Sequence, residues 1–460
     1  MSLHIVILAA GQGTRMRSNT PKVLHEVAGM PMLERVIDTA RALKPEGIHV
    51  VIGHGGEVIQ QALYALPVNW VIQKEQLGTG HAVMQALPHI PPTSLVLVLS
   101  GDVPLITLET LQALIDKCMP HSGHGAPLGL LVASVGDASG LGRIVRNAAG
   151  QVDAIVEEKD ATAAQRNINE IYSGICCTDA SHLIRWLPTL KTNNAQGEYY
   201  LTHIVALAVS EKCPIVSLSS ENPIEIQGVN NRLQLNQLER AWQLNRAERL
   251  MLQGVTLFDA SRIDIRGELC CGMDVVIDVN NVFTGHVVIG DGSRIGANCS
   301  LKNVILGKHS EIHPNSVLED CQIGDDCHVG PFARLRPGTT LASGCKIGNF
   351  VETKKAVFGA NSKASHLSYL GDVTLGKNVN IGAGTITCNY DGVNKHETVI
   401  ADGVFIGSDT QLIAPVRIGE NATIGAGSTI YKDVPPGELT LTEAIQKTVL
   451  GWVRPRKKTK

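Results

Sequence analysis

Small aliphatic residues recur at every sixth position through much of the C-terminal half of the chain. They keep this phase over three stretches: Ile289, Ile295 and Leu301; Ile323, Val329, Leu335, Leu341 and Ile347; and Ile400, Ile406, Leu412, Ile418, Ile424 and Ile430. Glycine directly follows several of them, so each unit predicts a short strand and a tight corner. Three such strands complete a triangular coil of roughly 18 residues, and stacked coils bury one aliphatic column. The pattern predicts a parallel β-helix of hexapeptide repeats.

One segment interrupts the six-residue period. Residues 388–399, CNYDGVNKHETV, are too polar for a buried column. They predict a loop that leaves one coil, and loops on a rigid scaffold often carry function.

The N-terminal half alternates short apolar stretches with longer ones of helical character. Strands are predicted at 5–8, 49–52, 70–72 and 95–99, and 32–43 is one of the helical stretches between them. This alternation predicts an α/β domain with a mostly parallel sheet.

Domain boundaries follow from these two patterns. Between the halves, leucines spaced among charges at 231–252, without glycine or proline, predict a long helix. The predicted organisation is an α/β domain at 1–230, a linker helix at 231–252, a β-helix domain at 253–437 and a tail at 438–460. The tail is basic and contains Arg454, Arg456, Lys457, Lys458 and Lys460.

Composition narrows the class of protein. The low aromatic content of 4% and the 46 glycines suit a repetitive aliphatic core. A net charge of -3, from 40 basic and 43 acidic residues, gives no overall reason to bind nucleic acid or a membrane. The eleven cysteines lack metal-ligand spacing, and the apolar run near the N-terminus is too short to span a bilayer. We expect a reduced, cytoplasmic protein.

A glycine-rich turn follows the first predicted strand. Residues 9–16 read AAGQGTRM, and Pro21 and Lys22 follow. Glycines at the end of a strand leave backbone N–H groups free to face phosphate oxygens. Because Met16 stands where a dinucleotide fingerprint has its third glycine, and no GxxxxGK is present, both of those motifs are disfavoured. A merely tight turn remains the alternative.

A second polar turn follows the predicted strand at 95–99. Asp102 lies in the sequence SGDVP at 100–104, where a carboxylate is well placed to hold Mg2+. A simple turn-forming role for this aspartate is the alternative.

The motif LAAGxGTRM followed by PK resembles the signature of the sugar-nucleotide pyrophosphorylases. The resemblance implies a Rossmann-like nucleotidyltransferase domain in which Arg15 and Lys22 contact the triphosphate and Asp102 and Asn230 hold Mg2+. It further implies a set of residues that contact the nucleotide and the sugar: Leu8, Ala9, Ala10, Gly11, Gln73, Gly78, Thr79, Ser100, Gly101, Gly142, Glu157, Tyr172 and Asn230. Three positions depart from the family pattern: Tyr172 replaces Asn, Ser100 replaces Tyr, and His203 replaces Asp.

Polar and basic residues also interrupt successive repeats of the β-helix, at 334–337, 352–355, 365–369 and 389–391. Together with the N-terminal motif, they resemble the bacterial bifunctional N-acetylglucosamine-1-phosphate uridyltransferase/glucosamine-1-phosphate acetyltransferase family over nearly the whole chain. The resemblance implies a left-handed β-helix, a homotrimer, and UTP and acetyl-CoA as co-substrates. It also implies a role in supplying UDP-N-acetylglucosamine for peptidoglycan and lipopolysaccharide.

By the same resemblance His366 is the general base, a suitable role because imidazole titrates close to working pH. The implied substrate and acetyl-CoA contacts are Arg336, Lys354, Tyr369, Asn380, Ala383, Asn389, Tyr390, Ser408, Ala426 and Glu443. Ala383 is the implied N–H donor to the oxyanion, Glu443 stands where a basic residue is usual, and Trp452 with the tail covers the cofactor. An inert exposed His366, packing roles for Tyr369 and Tyr390, and a solvated tail remain alternatives.

Three classes of function compete. The first is a bifunctional enzyme, the second a nucleotidyltransferase with a structural β-helix, and the third an acyl-CoA-binding regulator with a decayed nucleotide site. The presence of Arg15, Lys22, Asp102 and Asn230 disfavours the third, and His366 with Arg336 and Lys354 disfavours the second. The sequence favours the bifunctional enzyme, acting on glucosamine-1-phosphate and N-acetylglucosamine-1-phosphate.

Overall fold

The computed structural model describes residues 2–119, 127–443 and 445–457. The chain divides into two compact units, Met1–Trp242 and Gln243–Lys460. Of the basic tail, Lys458 and Lys460 lie outside the described residues. Within the described part, every helix is too short or too polar to traverse a lipid bilayer.

The first unit is built on a nine-stranded sheet whose main path runs β11-β7-β10-β6-β1-β4-β5, with β8 and β9 at its side. The strands of this unit are β1 Leu3–Ala9, β2 Glu26–Val27, β3 Met30–Pro31, β4 Gly47–Ile52, β5 Asn69–Ile72, β6 Leu95–Ser100, β7 Leu128–Ser134, β8 Arg143–Arg146, β9 Val152–Val156, β10 Glu170–Asp179 and β11 Ile215–Ser219. The short β2 and β3 form a separate hairpin.

Helices cover both faces of this sheet. They are α1 Met32–Ala42, α2 Gly56–Ala62, α3 Thr79–Ala86, α4 Leu108–Cys118, α5 Ala163–Arg166, α6 Ala180–Trp186 and α7 Ile204–Ser210. Because successive strand residues point to opposite faces, Ile5 and Ile7 pack with Leu33 of α1, whereas Val6 packs with Val83 of α3. Each face of the sheet therefore has its own apolar core.

The predicted strands and their parallel pairing are confirmed. Strand β1 pairs in parallel with β4 and with β6, and β4 pairs in parallel with β5. The exception is β10, which runs antiparallel to β6 and β7. Since β1, β4 and β6 run the same way, their carboxyl ends meet at one edge, where ligands bind in open α/β sheets.

One long helix, α8, occupies Arg232–Leu252, where the sequence predicted a helix from residue 231. The division between the two compact units falls within it, after Trp242. On the first unit's side, Glu239 accepts a hydrogen bond from the Ala28 backbone N–H at 2.6 Å. On the second unit's side, the buried Gln243 amide exchanges two hydrogen bonds with the Ile265 backbone, at 2.9 and 2.8 Å.

The second unit consists of stacked parallel strands in two long sheets. The first sheet contains β12 Thr256–Leu257, β14 Val276–Ile277, β16 Arg294–Ile295, β18 Glu311–Ile312, β20 His328–Val329, β23 Lys346–Asn349, β25 Lys363–His366, β27 Asn380–Ile381, β30 Phe405–Ile406, β33 Thr423–Ile424 and β35 Leu439–Thr440. The second contains β13 Ile263–Cys271, β15 Asn281–Ile289, β17 Ser300–Leu306, β19 Val317–Ile323, β21 Arg334–Leu335, β22 Thr340–Leu341, β24 Glu352–Phe358, β26 Tyr369–Leu375, β28 Ile386–Cys388, β29 Thr398–Ile400, β31 Gln411–Ile413, β32 Val416–Ile418 and β34 Thr429–Ile430.

The aliphatic residues of the six-residue period form the predicted buried column. Each of them is at most 4% exposed, for example Ile295, Leu335 and Ile424. Coils are 17 or 18 residues long, because Arg294 pairs with Glu311 and Val282 with Ser300. The shorter coils explain why the period loses phase between the three stretches of the sequence.

The polar segment at 388–399 does leave the coil. Its excursion spans 389–397, because Cys388 ends β28 and β29 begins at Thr398. Tyr390 and Lys395 form an antiparallel bridge across it. The Asp391 carboxylate accepts hydrogen bonds from the backbone N–H groups of Val393 and Asn394, at 2.8 and 2.6 Å. These bonds order the tip of the loop and hold the pKa of Asp391 well below its usual range.

Candidate active sites

The first site forms where β1 and β6 end. The turn after β1 passes through Gly13, at φ +63°, into a short 3-10 helix at Thr14–Met16. The Arg15 guanidinium donates to the side-chain oxygen of Asn230 at 2.8 Å, and the Lys22 ammonium pairs with the Asp102 carboxylate. Two cations from the first turn therefore meet two oxygen donors from distant parts of the chain.

Hydrogen bonds hold the segment around Asn230 against the end of β6. The Val229 N–H donates to the Asp102 carbonyl at 3.0 Å, and the Asn230 N–H donates to the Gln234 side chain at 2.8 Å. The Ser100 hydroxyl donates to the Asp102 carboxylate at 2.6 Å. Gly101 donates to the carbonyl of Leu8, the start of the segment through Ala9, Ala10 and Gly11. The structure thus brings Arg15, Lys22, Asp102 and Asn230 together.

A second loop of this site follows β5. Gln73 is buried, and its amide donates to the Gly78 carbonyl at 3.2 Å and contacts His81 at 3.0 Å, so it orders the loop from within. The Thr79 hydroxyl accepts from the Leu201 N–H at 3.0 Å. The exposed amide beside this loop belongs to Gln76, which lies near Ala10.

Gly78 is required by close backbone packing. Its φ is +110°, and a Cβ built there would lie 2.7 Å from the Tyr199 carbonyl oxygen. We expect Gly78→Ala to lower the free energy of unfolding by about 1–3 kcal/mol, the cost of a residue forced into such a backbone region. Urea unfolding of the full chain measures this.

Gly150→Ala is the matched control for this substitution. Gly150 also has a positive φ, +77°, but nothing lies within 4 Å of its built Cβ. Equal losses of stability in the two variants would contradict the role of the Tyr199 contact.

The third part of the first site lies beside β8 and β10. Glu157 accepts a hydrogen bond from the Thr202 hydroxyl at 3.1 Å, and burial raises the pKa of its carboxyl. Gly142 lies next to this carboxyl. Tyr172 donates its backbone N–H to the Gly142 carbonyl at 2.9 Å, but its side chain is only 9% exposed and belongs to the core.

The three positions that depart from the family pattern are each accounted for. Tyr172 aligns Gly142 through its backbone, and burial raises the pKa of its hydroxyl well above the usual value. Ser100 binds the Asp102 carboxylate. His203 packs edge-on against Tyr200 at 5.3 Å, and burial lowers its pKa.

The second site follows one corner of the β-helix. Ala364, Ile381, Ile406 and Ile424 pair in register from coil to coil. The residues two positions after each of them therefore stack on the same corner, about 4.8 Å apart: these are His366, Ala383, Ser408 and Ala426. Above the histidine the corner carries only small side chains, which leaves a groove along three coils.

His366 is exposed and is oriented by the coil below it. Its Nδ1 lies 2.8 Å from the side-chain oxygen of Asn349, its partner in the strand register. Because that oxygen only accepts, a neutral imidazole donates its Nδ1–H there. Nε2 then carries the free lone pair, as a general base requires.

A basic cluster lies on the other sheet. Arg336 and Lys354 occupy successive coils, since the Arg336 N–H donates to the Thr353 carbonyl at 2.9 Å. Arg336 pairs with Glu352 at 2.8 Å, and Lys354 lies 3.7 Å from the Asp372 carboxylate. The Asn389 amide donates to the same carboxylate at 2.5 Å.

Comparisons with known proteins agree with this two-site architecture. Residues 5–156 match the MobA-like NTP transferase domain family, 265–358 the GMPPB C-terminal domain, and 397–432 the bacterial transferase hexapeptide (six repeats). The chain is 64% identical over 458 residues to the bifunctional protein GlmU of Legionella pneumophila (strain Lens), covering 100% of this chain and 99% of that protein. It is 56% identical over 455 residues to that of Marinobacter nauticus, covering 99% of each.

The chain belongs to the GlmU family. The predictions of a bifunctional enzyme and of its two-part fold are thereby confirmed: a nucleotidyltransferase domain precedes a left-handed β-helix acetyltransferase domain. The structural and regulatory alternatives raised by the sequence are disfavoured accordingly.

The remaining residues predicted from the GlmU family resemblance have these positions. Tyr369 starts β26, and its ring covers Gly371, leaving no space for a side chain there. Asn380 pairs in register with Lys363 and Phe405. Tyr390 is exposed and donates its hydroxyl to the Gly392 carbonyl at 2.5 Å. Glu443 and Trp452 are exposed, and their roles stay predictions.

Sequence reasoning missed three residues that the structure joins to the predicted ones. Asn349 orients His366, Asp372 links Lys354 to Asn389, and Lys395 lies beside Lys354, which lowers the pKa of Lys395 through a shared hydrogen bond. Coil length was an available signal for the first two. Asn349 and Asp372 lie one coil, 17 residues, from His366 and Asn389.

Proposed function

We propose that the chain acetylates glucosamine-1-phosphate with acetyl-CoA in its second unit and transfers UMP from UTP to N-acetylglucosamine-1-phosphate in its first. The observation that carries this proposal is His366, oriented by Asn349 at 2.8 Å, at the foot of a groove of small residues. A β-helix that served only to assemble subunits would not need an imidazole oriented in this way. The domain boundaries proposed are 1–230, 231–252, 253–437 and 438–460.

In uridylyl transfer, a phosphate oxygen of the sugar phosphate attacks the α-phosphorus of UTP and pyrophosphate leaves. The protein's task is positioning and charge neutralisation. Arg15 and Lys22 are the cations for the triphosphate, and the backbone of residues 8–11 and the loop at Gln73, Gly78 and Thr79 hold the nucleoside. Gly142 and Glu157 are the contacts for the sugar.

The residues present fit a magnesium ion. Mg2+ prefers oxygen ligands, and the Asp102 carboxylate and Asn230 amide oxygen already attract two cationic side chains, Lys22 and Arg15. When bound there, Mg2+ neutralises charge on the phosphates. Lys22 and Arg15 would then turn from these oxygens to the triphosphate.

In acetyl transfer, the amine of glucosamine-1-phosphate attacks the thioester carbonyl and CoA thiolate leaves. His366 Nε2 takes the proton that the amine loses. The backbone N–H of Ala383 has no hydrogen-bond acceptor within the described chain and is the donor for the oxyanion. Arg336 and Lys354 bind the sugar phosphate, and Tyr369, Asn380, Asn389 and Tyr390 surround the sugar.

An exposed apolar strip supports a homotrimer with sites completed between copies. Phe332 and Phe350 stack at 5.4 Å, and with Leu367, beside His366, they are at least half exposed. Such a strip is typical of an interface between subunits. The product would feed peptidoglycan and lipopolysaccharide synthesis in the cytoplasm, with no nucleic-acid or membrane partner.

A coupled assay tests the proposal. Purified protein receives glucosamine-1-phosphate, acetyl-CoA, UTP and Mg2+, with one component omitted at a time. CoA thiol release should require only the first two, whereas pyrophosphate release should require all four unless N-acetylglucosamine-1-phosphate is supplied. UTP turnover without CoA release from the amino-sugar phosphate would contradict the second site.

The groove above His366 gives a steric test of the acetyl-CoA assignment. Ala426→Trp should raise KM for acetyl-CoA by at least about tenfold, since even one misfitted group in an apolar pocket costs 1–3 kcal/mol. Uridylyl transfer should be unchanged. Initial rates at varied acetyl-CoA measure the effect.

Ala297→Trp is the control for this variant. Residue 297 lies on the same corner, four coils before His366, and therefore outside the groove. If both variants raise KM equally, the groove does not hold the cofactor.

A further inference from the structure

Two successive coils of the β-helix place two imidazoles and one carboxylate together, away from both sites described above. Within residues 2–119, 127–443 and 445–457, Glu311, His313 and His328 form the one group of at least three His, Cys, Asp or Glu residues whose ligand atoms lie within 4.8 Å of one another. The Glu311 carboxylate lies 3.9 Å from His313 Nε2 and 3.7 Å from His328 Nδ1.

The backbone holds these three residues in fixed positions. Glu311 and His328 are direct partners in the parallel register of β18 and β20. His313 follows β18 at the corner, where its N–H donates to the Val329 carbonyl at 2.7 Å and its own carbonyl accepts from the Ser316 hydroxyl at 2.9 Å. The two imidazole rings are stacked, with centroids 6.0 Å apart and planes 12° apart.

We propose that Glu311, His313 and His328 bind a late first-row divalent cation such as Zn2+. Ligand atoms bound tetrahedrally at about 2.0–2.1 Å from zinc lie about 3.3 Å apart, so the present separations need to close by roughly 1 Å. The side chains retain the freedom to do this, because they are 40%, 38% and 49% exposed, respectively.

The donor set decides which metal the group selects. Imidazole nitrogens favour zinc, cobalt, nickel and copper, whereas Mg2+ favours sites made of oxygen alone. Three protein ligands leave a fourth position for water or for another ligand. The bound ion would tie one coil to the next, and it would offset the repulsion that its register neighbours Arg294 and Lys346 exert.

Metal titration of the full chain tests the proposal. Zn2+ is titrated calorimetrically in excess Mg2+, which occupies the oxygen site at Asp102, and Co2+ is titrated in parallel to record its visible absorption. Wild type should bind one equivalent more than His313→Asn and than His328→Asn. Glu311→Gln should bind that equivalent at least about tenfold more weakly, the smallest loss expected even for partners outside the ligand shell.

The chain offers a matched control in His286. This exposed histidine also lies beside a carboxylate of the neighbouring coil, Glu268, at 3.1 Å, but the pair has no third ligand. His286→Asn should bind metal as wild type does, and circular dichroism should show all variants folded. Wild type without this equivalent, or His313→Asn and His328→Asn that retain it, would overturn the proposal.

Discussion

His366→Ala should lower kcat/KM for acetyl transfer by about 10²–10⁴-fold, the range that general bases contribute. The reason is that the glucosamine ammonium must lose its proton before or during attack, and His366 carries the base at the foot of the groove. Uridylyl transfer should stay at the wild-type rate. CoA thiol release and pyrophosphate release, measured on the same preparation, give both results.

Asn349→Ala separates orientation of the base from its presence. Asn349 holds the imidazole through Nδ1 at 2.8 Å and, as a positioning residue, should affect kcat more than KM for acetyl-CoA. We expect a loss of about 10–100-fold, as is typical when a partner that orients a functional side chain is removed. The conservative Asn349→Asp variant, which keeps an accepting oxygen, should restore part of the rate.

The control for the base is His286→Ala, which removes another exposed histidine of the β-helix. It should leave both activities unchanged. If His366→Ala retains acetyl transfer, or silences both activities while the chain stays folded, the assignment of His366 to one of two independent sites is wrong.

The β-helix was predictable from sequence because its physics is local. A residue's inward or outward position depends on a six-residue period, so Ile289 or Leu335 could be assigned from neighbouring repeats alone. The same period, applied one coil back, would have pointed to Asn349. The shorter coils of 17 residues could not be predicted, because the step from Leu301 to Leu306 is a register shift set by pairing with adjacent coils.

The nucleotide site was predictable only in part. The strands and the turn at residues 9–16 have local signatures, whereas the pairing of Arg15 with Asn230 joins positions 215 residues apart. The burial of Tyr172 depends on the antiparallel strand β10, whose direction no alternation of strands and helices specifies. Gln73 likewise has the residue type for reading a base, but its amide is used to hold its own loop.

Asp102→Ala should lower uridylyl transfer by more than about 100-fold, because losing groups just outside a metal's ligands already costs 10–100-fold. The substitution removes the carboxylate proposed to hold Mg2+ and leaves the Lys22 ammonium, only 14% exposed, without its ion-pair partner. Acetyl transfer, which uses none of these groups, should be unchanged. Pyrophosphate release at varied Mg2+ and UTP measures the loss.

Asp102→Asn identifies the cause of that loss. The amide keeps an oxygen donor and the side-chain volume but removes the negative charge, so the variant should recover activity at high Mg2+ more fully than Asp102→Ala does. Asp38→Ala is the control, since Asp38 is an exposed partner of Arg41 at 3.5 Å in the same unit and should have no effect on either activity. Uridylyl transfer at the wild-type rate in Asp102→Ala would exclude Asp102 as a metal ligand. Equal loss in both Asp102 variants at every Mg2+ concentration would instead place its role in holding Lys22, because a neutral side chain cannot anchor that ammonium in either variant.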